Sequence, residues 1–217
     1  MDCGVQANRR GAAWADAVTG EAATPPPQPS PARAGEGAAA LPLLPLAGEG
    51  RGGGASATSF TLREATPADL PDILRLVRDL ADYEKLLHEA VGTEADFREA
   101  LFSAHPRVFC TLAEREGAIV GQAIWFYNFS TFTGRPGIYL EDIFVMPERR
   151  ASGIGLAFFR HLAARAVAEN CTRMEWQVLD WNEPAIRFYD RIGSVTKDEW
   201  RARRISGAAL RNLARKQ

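Results

Sequence analysis

The residues GIYLEDIFVMPERRASGIGLAFFRHLAARAVAEN, Gly137 to Asn170, decide the fold. The first ten are rich in β-branched and aromatic side chains and apolar on both faces, as in a strand inside a sheet. Alternation places Ile138, Leu140, Phe144 and Met146 on one face and Tyr139, Ile143 and Val145 on the other. From Gly153 to Asn170 the chain reads as one long helix. Between them lies RRASGIG, Arg149 to Gly155. Two glycines at a strand-to-helix turn leave several backbone N–H groups unpaired at a helix N-terminus. With the helix dipole and the arginines, they make a site for a phosphate or pyrophosphate. No Lys-Ser/Thr pair follows the last glycine, so the turn is not a Walker loop. No third glycine stands where a dinucleotide fingerprint needs one. What remains is Arg-x-x-Gly-x-Gly, Arg150 to Gly155.

Glu141 and Asp142 interrupt the strand, one expected on each face. Burying a carboxylate is costly unless something pairs with it. Two adjacent acids in a central strand therefore point to a cleft faced by at least one of them.

Outward from this core, FTLREA (Phe60 to Ala65) alternates like a half-buried strand. Thr66, Pro67 and Asp69 form a helix start, followed by Leu70, Ile73, Leu74, Val77, Leu80 and Ala81 at helical spacing. Thr93 and Asp96 open a second helix. RVFCTLAE and AIVGQAIWFYNF read as a hairpin turned at Glu116-Gly117. CTRMEWQVLD reads as a fifth strand. NEPAIRFYDRI is a short helix capped by Asn182, which puts Tyr189 two turns further along. GSVTK and EWRARRI read as two last strands. A strand-helix-strand unit over residues 137–180 requires a right-handed crossover and a parallel pair. The hairpins require antiparallel pairing. The expected fold is thus α/β (α+β): a mixed, mostly antiparallel sheet flanked by helices on both faces.

Composition divides the 217 residues. Residues 1–57 are rich in Ala, Gly and Pro and carry one aromatic, Trp14. They read as a disordered low-complexity extension, or as sequence upstream of the true start. Residues 58–217 read as one domain holding four of the five Trp. A formal net charge of −1 speaks against a nucleic-acid binder. No apolar run suits a signal or a membrane span. Cys3, Cys110 and Cys171 show no paired spacing, as expected of a cytoplasmic protein. His88, His105 and His161 show no metal-ligand spacing, and no metal is expected.

RDLADYEKL, YLEDIFVMPERR, SGIG, LDWNEPAIRFYDRIG and EW, in that order, resemble the GNAT superfamily of N-acetyltransferases. Within it they are similar to the branch of diamine (spermidine/spermine) and thialysine acetyltransferases. The resemblance runs from Phe60 to about Ala214. It implies acetyl-CoA as co-substrate, a small-molecule primary amine as acceptor, direct attack in a ternary complex, and a homodimer. It implies that the backbone of Ile143, Phe144 and Val145 pairs with the pantetheine arm. Arg150, Ala151, Ser152, Gly153, Ile154, Gly155 and Leu156 would hold the pyrophosphate. Asn182, Glu183, Pro184 and Ala185 would touch the cofactor further along. Tyr189 would be the catalytic acid and Glu141 the base. Tyr83, Glu84 and Glu141 would line the amine site. In the loop before the fourth strand, NFSTFTG replaces the acid and Trp of polyamine-acting members and is closer to the thialysine type. A non-catalytic acyl-CoA-binding module on the same fold is the other reading; the joint presence of Tyr189 and Glu141 favours the enzyme.

Overall fold

The structure is a computed structural model and describes residues 59–215. The reading of residues 1–57 as low-complexity lies outside the described residues. Five strands form one sheet in the order β1-β2-β3-β4-β5: Thr61–Glu64, Phe109–Arg115, Ala118–Ser130, Arg135–Val145 and Met174–Glu175. The first four pair antiparallel, and β4 pairs parallel to β5. Helices α1 (Leu70–Tyr83) and α2 (Glu94–Phe102) cover one face. Helices α3 (Ile154–Ala168) and α4 (Glu183–Arg191) cover the other. The expected mixed, mostly antiparallel sheet with helices on both faces is what forms.

Local chemistry explains the starts and turns. Thr93 Oγ1 accepts from the Asp96 N–H at 3.3 Å, and Asp96 accepts from the Thr93 N–H at 2.8 Å, a reciprocal cap for α2. Asp69 likewise accepts from the Thr66 N–H at 2.7 Å, and its carboxylate also takes two hydrogen bonds from Arg63. That guanidinium holds the Asp69 carboxyl far below the usual range. The β2–β3 turn places Glu116 and Gly117 at φ 56° and 77°, the two left-handed residues of a tight hairpin. On the α3 face, Trp125, Ile138, Leu140, Phe158 and Leu162 are buried; on the α1 face, Leu70, Ile73, Leu76, Leu112 and Phe144.

Three expectations change. First, β4 does not alternate from end to end. Ile124 pairs with Asp142 while Trp125 pairs with Leu140, so Glu141 is an extra residue in β4. This bulge reverses the alternation: Ile138 and Leu140 face α3, whereas Phe144 faces α1 and Ile143 and Val145 pack toward α3. Second, the fifth strand is two residues long, not ten, because it leaves β4 after Glu175. Third, the two last strands do not form. Residues 200–206 are irregular and α5 (Gly207–Arg215) follows, with every residue from Val195 to Arg215 exposed. A strand needs a neighbour to pair with, and with β5 departed these segments pair with no strand among the described residues.

Candidate active site

The bulge and the short β5 open the site. β5 pairs with β4 only at Ile138 and Tyr139, while β4 runs on to Val145. A cleft of about 490 Å³ lies between the diverging strands. Its walls are β4 from Leu140 to Val145, the start of α3, residues Trp176 to Leu179, the start of α4 with Tyr189, and Leu80, Tyr83 and Glu84 at the end of α1.

The bulge also turns the β4 backbone. Ile138 N–H donates to Arg173 on the β5 side at 3.0 Å, but Met146 N–H donates to Val120 on the β3 side at 3.0 Å. Both positions are even, so an odd number of extra residues has reversed the pattern. Phe144 therefore points its backbone groups at β3, and Ile143 and Val145 point theirs at the edge where the sheet opens. The Val145 carbonyl there accepts from Arg150 Nε at 3.1 Å.

The turn into α3 presents backbone N–H groups that could hold an anion. Gly153 is the N-cap residue at φ 87°, a conformation that favours glycine. Ala151 also sits at positive φ, 59°, where a Cβ is disfavoured. The N–H of Ala157 bonds the Gly153 carbonyl at 3.0 Å, so the amides of Ile154, Gly155 and Leu156 have no acceptor within the helix. Nothing lies within 4 Å of the place a Cβ would take on Gly155, so packing does not demand glycine there. A glycine in the first turn that packing does not require leaves room for a ligand against the backbone. The Arg150 guanidinium lies 4.7 Å from the centre of the Tyr83 ring.

Deeper in the cleft stand a phenol and three carboxyls. Tyr189 is buried, 9% exposed, against Trp176, Phe159 and Phe188 at ring separations of 5.2, 5.6 and 5.5 Å. Burial, and then the Glu84 charge, pushes its hydroxyl up to about 12. Glu141 is exposed at the bulge and lines the cleft. Asp142 is half-buried beside it on the α1 face. Burial first, then Glu141 and Glu84, pushes its carboxyl up to about 6. Burial also raises Glu84. Such a group of carboxyls suits a cationic acceptor.

Of the residues singled out in the sequence, Tyr83, Glu84, Glu141, Ile143, Phe144, Val145, Arg150, Ala151, Gly153, Ile154, Gly155, Leu156, Asn182, Pro184, Ala185 and Tyr189 line this one cleft. Ser152 and Glu183 do not: Ser152 Oγ donates to the Arg149 carbonyl at 2.6 Å, and Glu183 pairs with Arg187 on the outside of α4. Trp176, Gln177, Val178 and Leu179, whose sequence reads as ordinary strand and carries no other signal, line the cleft as well. Both acids of the Glu141-Asp142 pair line the cleft, where the sequence required at least one, and the resemblance assigns a role to Glu141 alone. The loop before β4 joins the strand at Arg135, six residues and about 20 Å from Glu141, and none of its residues lines the cleft. Among the described residues, no group of three or more His, Cys, Asp and Glu is placed to hold a metal. No described helix is long and apolar enough to cross a membrane.

A mixed sheet splayed beside a glycine turn, with unpaired backbone amides and three carboxyls lining one cleft, is an arrangement that could take a phosphate-bearing ligand and a cationic one. The chain belongs to the acetyltransferase (GNAT) family, whose model matches residues 74–193. It is an N-acetyltransferase by its relatives as well. It is 36% identical over 167 residues to thialysine N-epsilon-acetyltransferase of Mus musculus, covering 72% of this chain and 98% of that protein. It is 37% identical over 169 residues to the same enzyme of Sus scrofa, covering 73% and 99%. L-ornithine N5-acetyltransferase of Arabidopsis thaliana is 29% identical over 197 residues, covering 70% and 86%. Among solved structures, an integron cassette protein from the mobile metagenome of V. cholerae matches with a TM-score of 0.62 at 27% identity, covering 72% and 98%.

Proposed function

We propose that this enzyme moves the acetyl group of acetyl-CoA onto the terminal primary amine of a small molecule of the thialysine or ornithine kind, by direct attack while both substrates are bound. The observation that supports it most is the junction of the anion turn, the free β4 edge, Tyr189 and three carboxyls in one cleft. Arg150 and the amides of Ile154 to Leu156 hold the pyrophosphate. The backbone of Ile143 and Val145 pairs with the pantetheine arm, which requires Arg150 to give up the Val145 carbonyl. Glu84 and Asp142 attract the ammonium group. Glu141, directly or through water, takes the proton that an amine of pKa near 10 carries at neutral pH. The freed nitrogen forms a bond to the thioester carbon, and the carbon–sulfur bond breaks. The Val145 amide holds the negative charge that builds on the thioester oxygen. Tyr189 gives its proton to the departing sulfur, and the second proton, shed by the acylated nitrogen as the amide forms, returns through solvent to the tyrosinate. Its raised pKa widens the gap to a thiol of about 8.5 in water, but the same dry environment raises the thiolate too.

Tyr189→Phe tests the assignment. It removes a hydroxyl and little packing, so kcat is expected to fall roughly 10²–10⁴-fold with the melting temperature held. An unchanged kcat would mean that Tyr189 is only a core aromatic. The same proposal includes a cytoplasmic homodimer. The tail exposes Val195, Trp200, Ile205, Leu210 and Leu213. Sedimentation giving monomer alone at micromolar concentration would contradict it.

A further inference from the structure

The acetyl-transfer reading gives no task to the hydroxyl of Tyr83. Tyr83 is the last residue of α1, yet its hydroxyl donates to Asn182 Oδ1 at 3.2 Å, 99 positions away in sequence. The same Oδ1 accepts from the Ala185 N–H at 3.4 Å and caps α4. The Tyr83 ring lies under the Arg150 guanidinium and leans on Trp181 at 5.7 Å. One side chain thus joins the end of α1, the turn into α3 and the start of α4.

We propose that Tyr83 is a positioning residue: through Asn182 its hydroxyl fixes the start of α4, and so fixes where Tyr189 stands in the cleft. The proposal rests on the acetyl-transfer reading with Tyr189 as acid. α4 has nine residues, too few to hold itself. Its cap is loose: Asn182 sits at φ −82°, ψ 60°, away from the extended backbone usual for a cap, and 3.4 Å is long for an N–H···O bond. The Tyr83 hydroxyl contact, at 3.2 Å also long for an O–H···O bond, is the second hold on Asn182, and it ties the cap to a helix whose Leu70, Ile73 and Leu76 are fully buried. Packing against Phe159, Trp176 and Phe188 holds the body of Tyr189. Its reach along the cleft follows the helix start, seven residues and about 10 Å away. A displacement of 1 Å at a reacting group costs up to about 100-fold in rate.

The test is a kinetic cycle on the full chain. Tyr83→Phe keeps the ring for Arg150 and Trp181 and removes the hydroxyl. Asn182→Ser keeps a capping oxygen but is too short to reach Tyr83. Each is expected to lower kcat about 3- to 10-fold, the worth of one hydrogen bond, with acetyl-CoA Kd within twofold for Tyr83→Phe, and with any change in acceptor KM, since Tyr83 lines the cleft, smaller than the loss of kcat. The double variant is expected to be no worse than the worse single one. In a Tyr189→Phe background, Tyr83→Phe is expected to change kcat no further. Three results would overturn the proposal alone: a raised acceptor KM at unchanged kcat, a lowered melting temperature at unchanged kcat, or a full additional loss of kcat in the Tyr189→Phe background. Undiminished kcat in Tyr189→Phe itself would instead remove the acid, and this proposal with it.

Discussion

The segment Gly137–Asn170 and the tail Ser194–Arg215 both mix apolar with charged residues, yet one builds the site and the other leaves its apolar side chains exposed, with Lys197 reaching back to Glu175 at 3.9 Å. In the first, Ile138, Leu140, Phe144, Ile154, Phe158 and Leu162 are buried. In the second, Val195, Trp200, Ile205, Leu210 and Leu213 are between 49% and 85% exposed. The difference is not composition. The first segment carries its own instructions: a glycine at φ 87° that ends the turn, and a helix that returns over its own strand. The tail needs an edge that some other element must supply, and β5 stops after two paired residues. Hydrophobic pattern specifies a surface to be covered, and topology decides whether anything covers it.

Between these two segments, the larger effects are expected where the first meets the donor. Gly153→Asp and Arg150→Ala should each weaken acetyl-CoA by about 1–3 kcal/mol, the worth of a charge-assisted contact, as read by calorimetry. Unchanged affinity in both would separate the turn from the pyrophosphate. Gly155→Ala should weaken binding while holding or raising the melting temperature, since the fold does not need that glycine. Loss of stability instead would make Gly155 structural.

Next in size is Asp142, whose carboxyl is raised to about 6. A raised carboxyl favours the folded state while it is protonated. That advantage is complete below the ordinary value near 3.8 and is lost as pH rises through about 6. Asp142→Asn should therefore be more stable than the parent at pH 7.5, by up to about 2 kcal/mol, with the gap closing toward pH 4. A gap independent of pH would show that charge burial is not what Asp142 costs.

The smallest effects are expected at the chain ends. A chain stopped after Gly193 should melt within about 2 °C of the parent where both are monomeric, because exposed side chains contribute little. A larger drop would show that the tail packs on its own sheet. A chain begun at Ser59 should turn over substrate at the parent rate if residues 1–57 are dispensable; a slower one would give them a part in the site.

Much of the site was legible in the sequence because its chemistry is local. The Arg-x-x-Gly-x-Gly turn, the Asn182 cap and the spacing to Tyr189 all lie within short stretches whose conformation the residues themselves impose. The bulge at Glu141 was not legible, since period-two alternation cannot reveal one extra residue when both faces are apolar. Because it was missed, so was the inversion that points Ile143 and Val145 at the open edge. Trp176 to Leu179 were hidden for a related reason: they look like strand, and leave β4 only because the sheet splays. The contact of Tyr83 with Asn182 joins residues 99 apart and had no sequence signal.

Steady-state release of CoA from the full chain decides which amine is the acceptor. Thialysine, ornithine, lysine, short diamines, spermidine and α-amino acids blocked at the side chain would be compared by kcat/KM at saturating acetyl-CoA. Turnover is expected for the free terminal amines, with thialysine or ornithine above spermidine and no reaction at the blocked compounds. Preference for spermidine, or acetyl-CoA bound without turnover of any amine, would contradict the proposed activity.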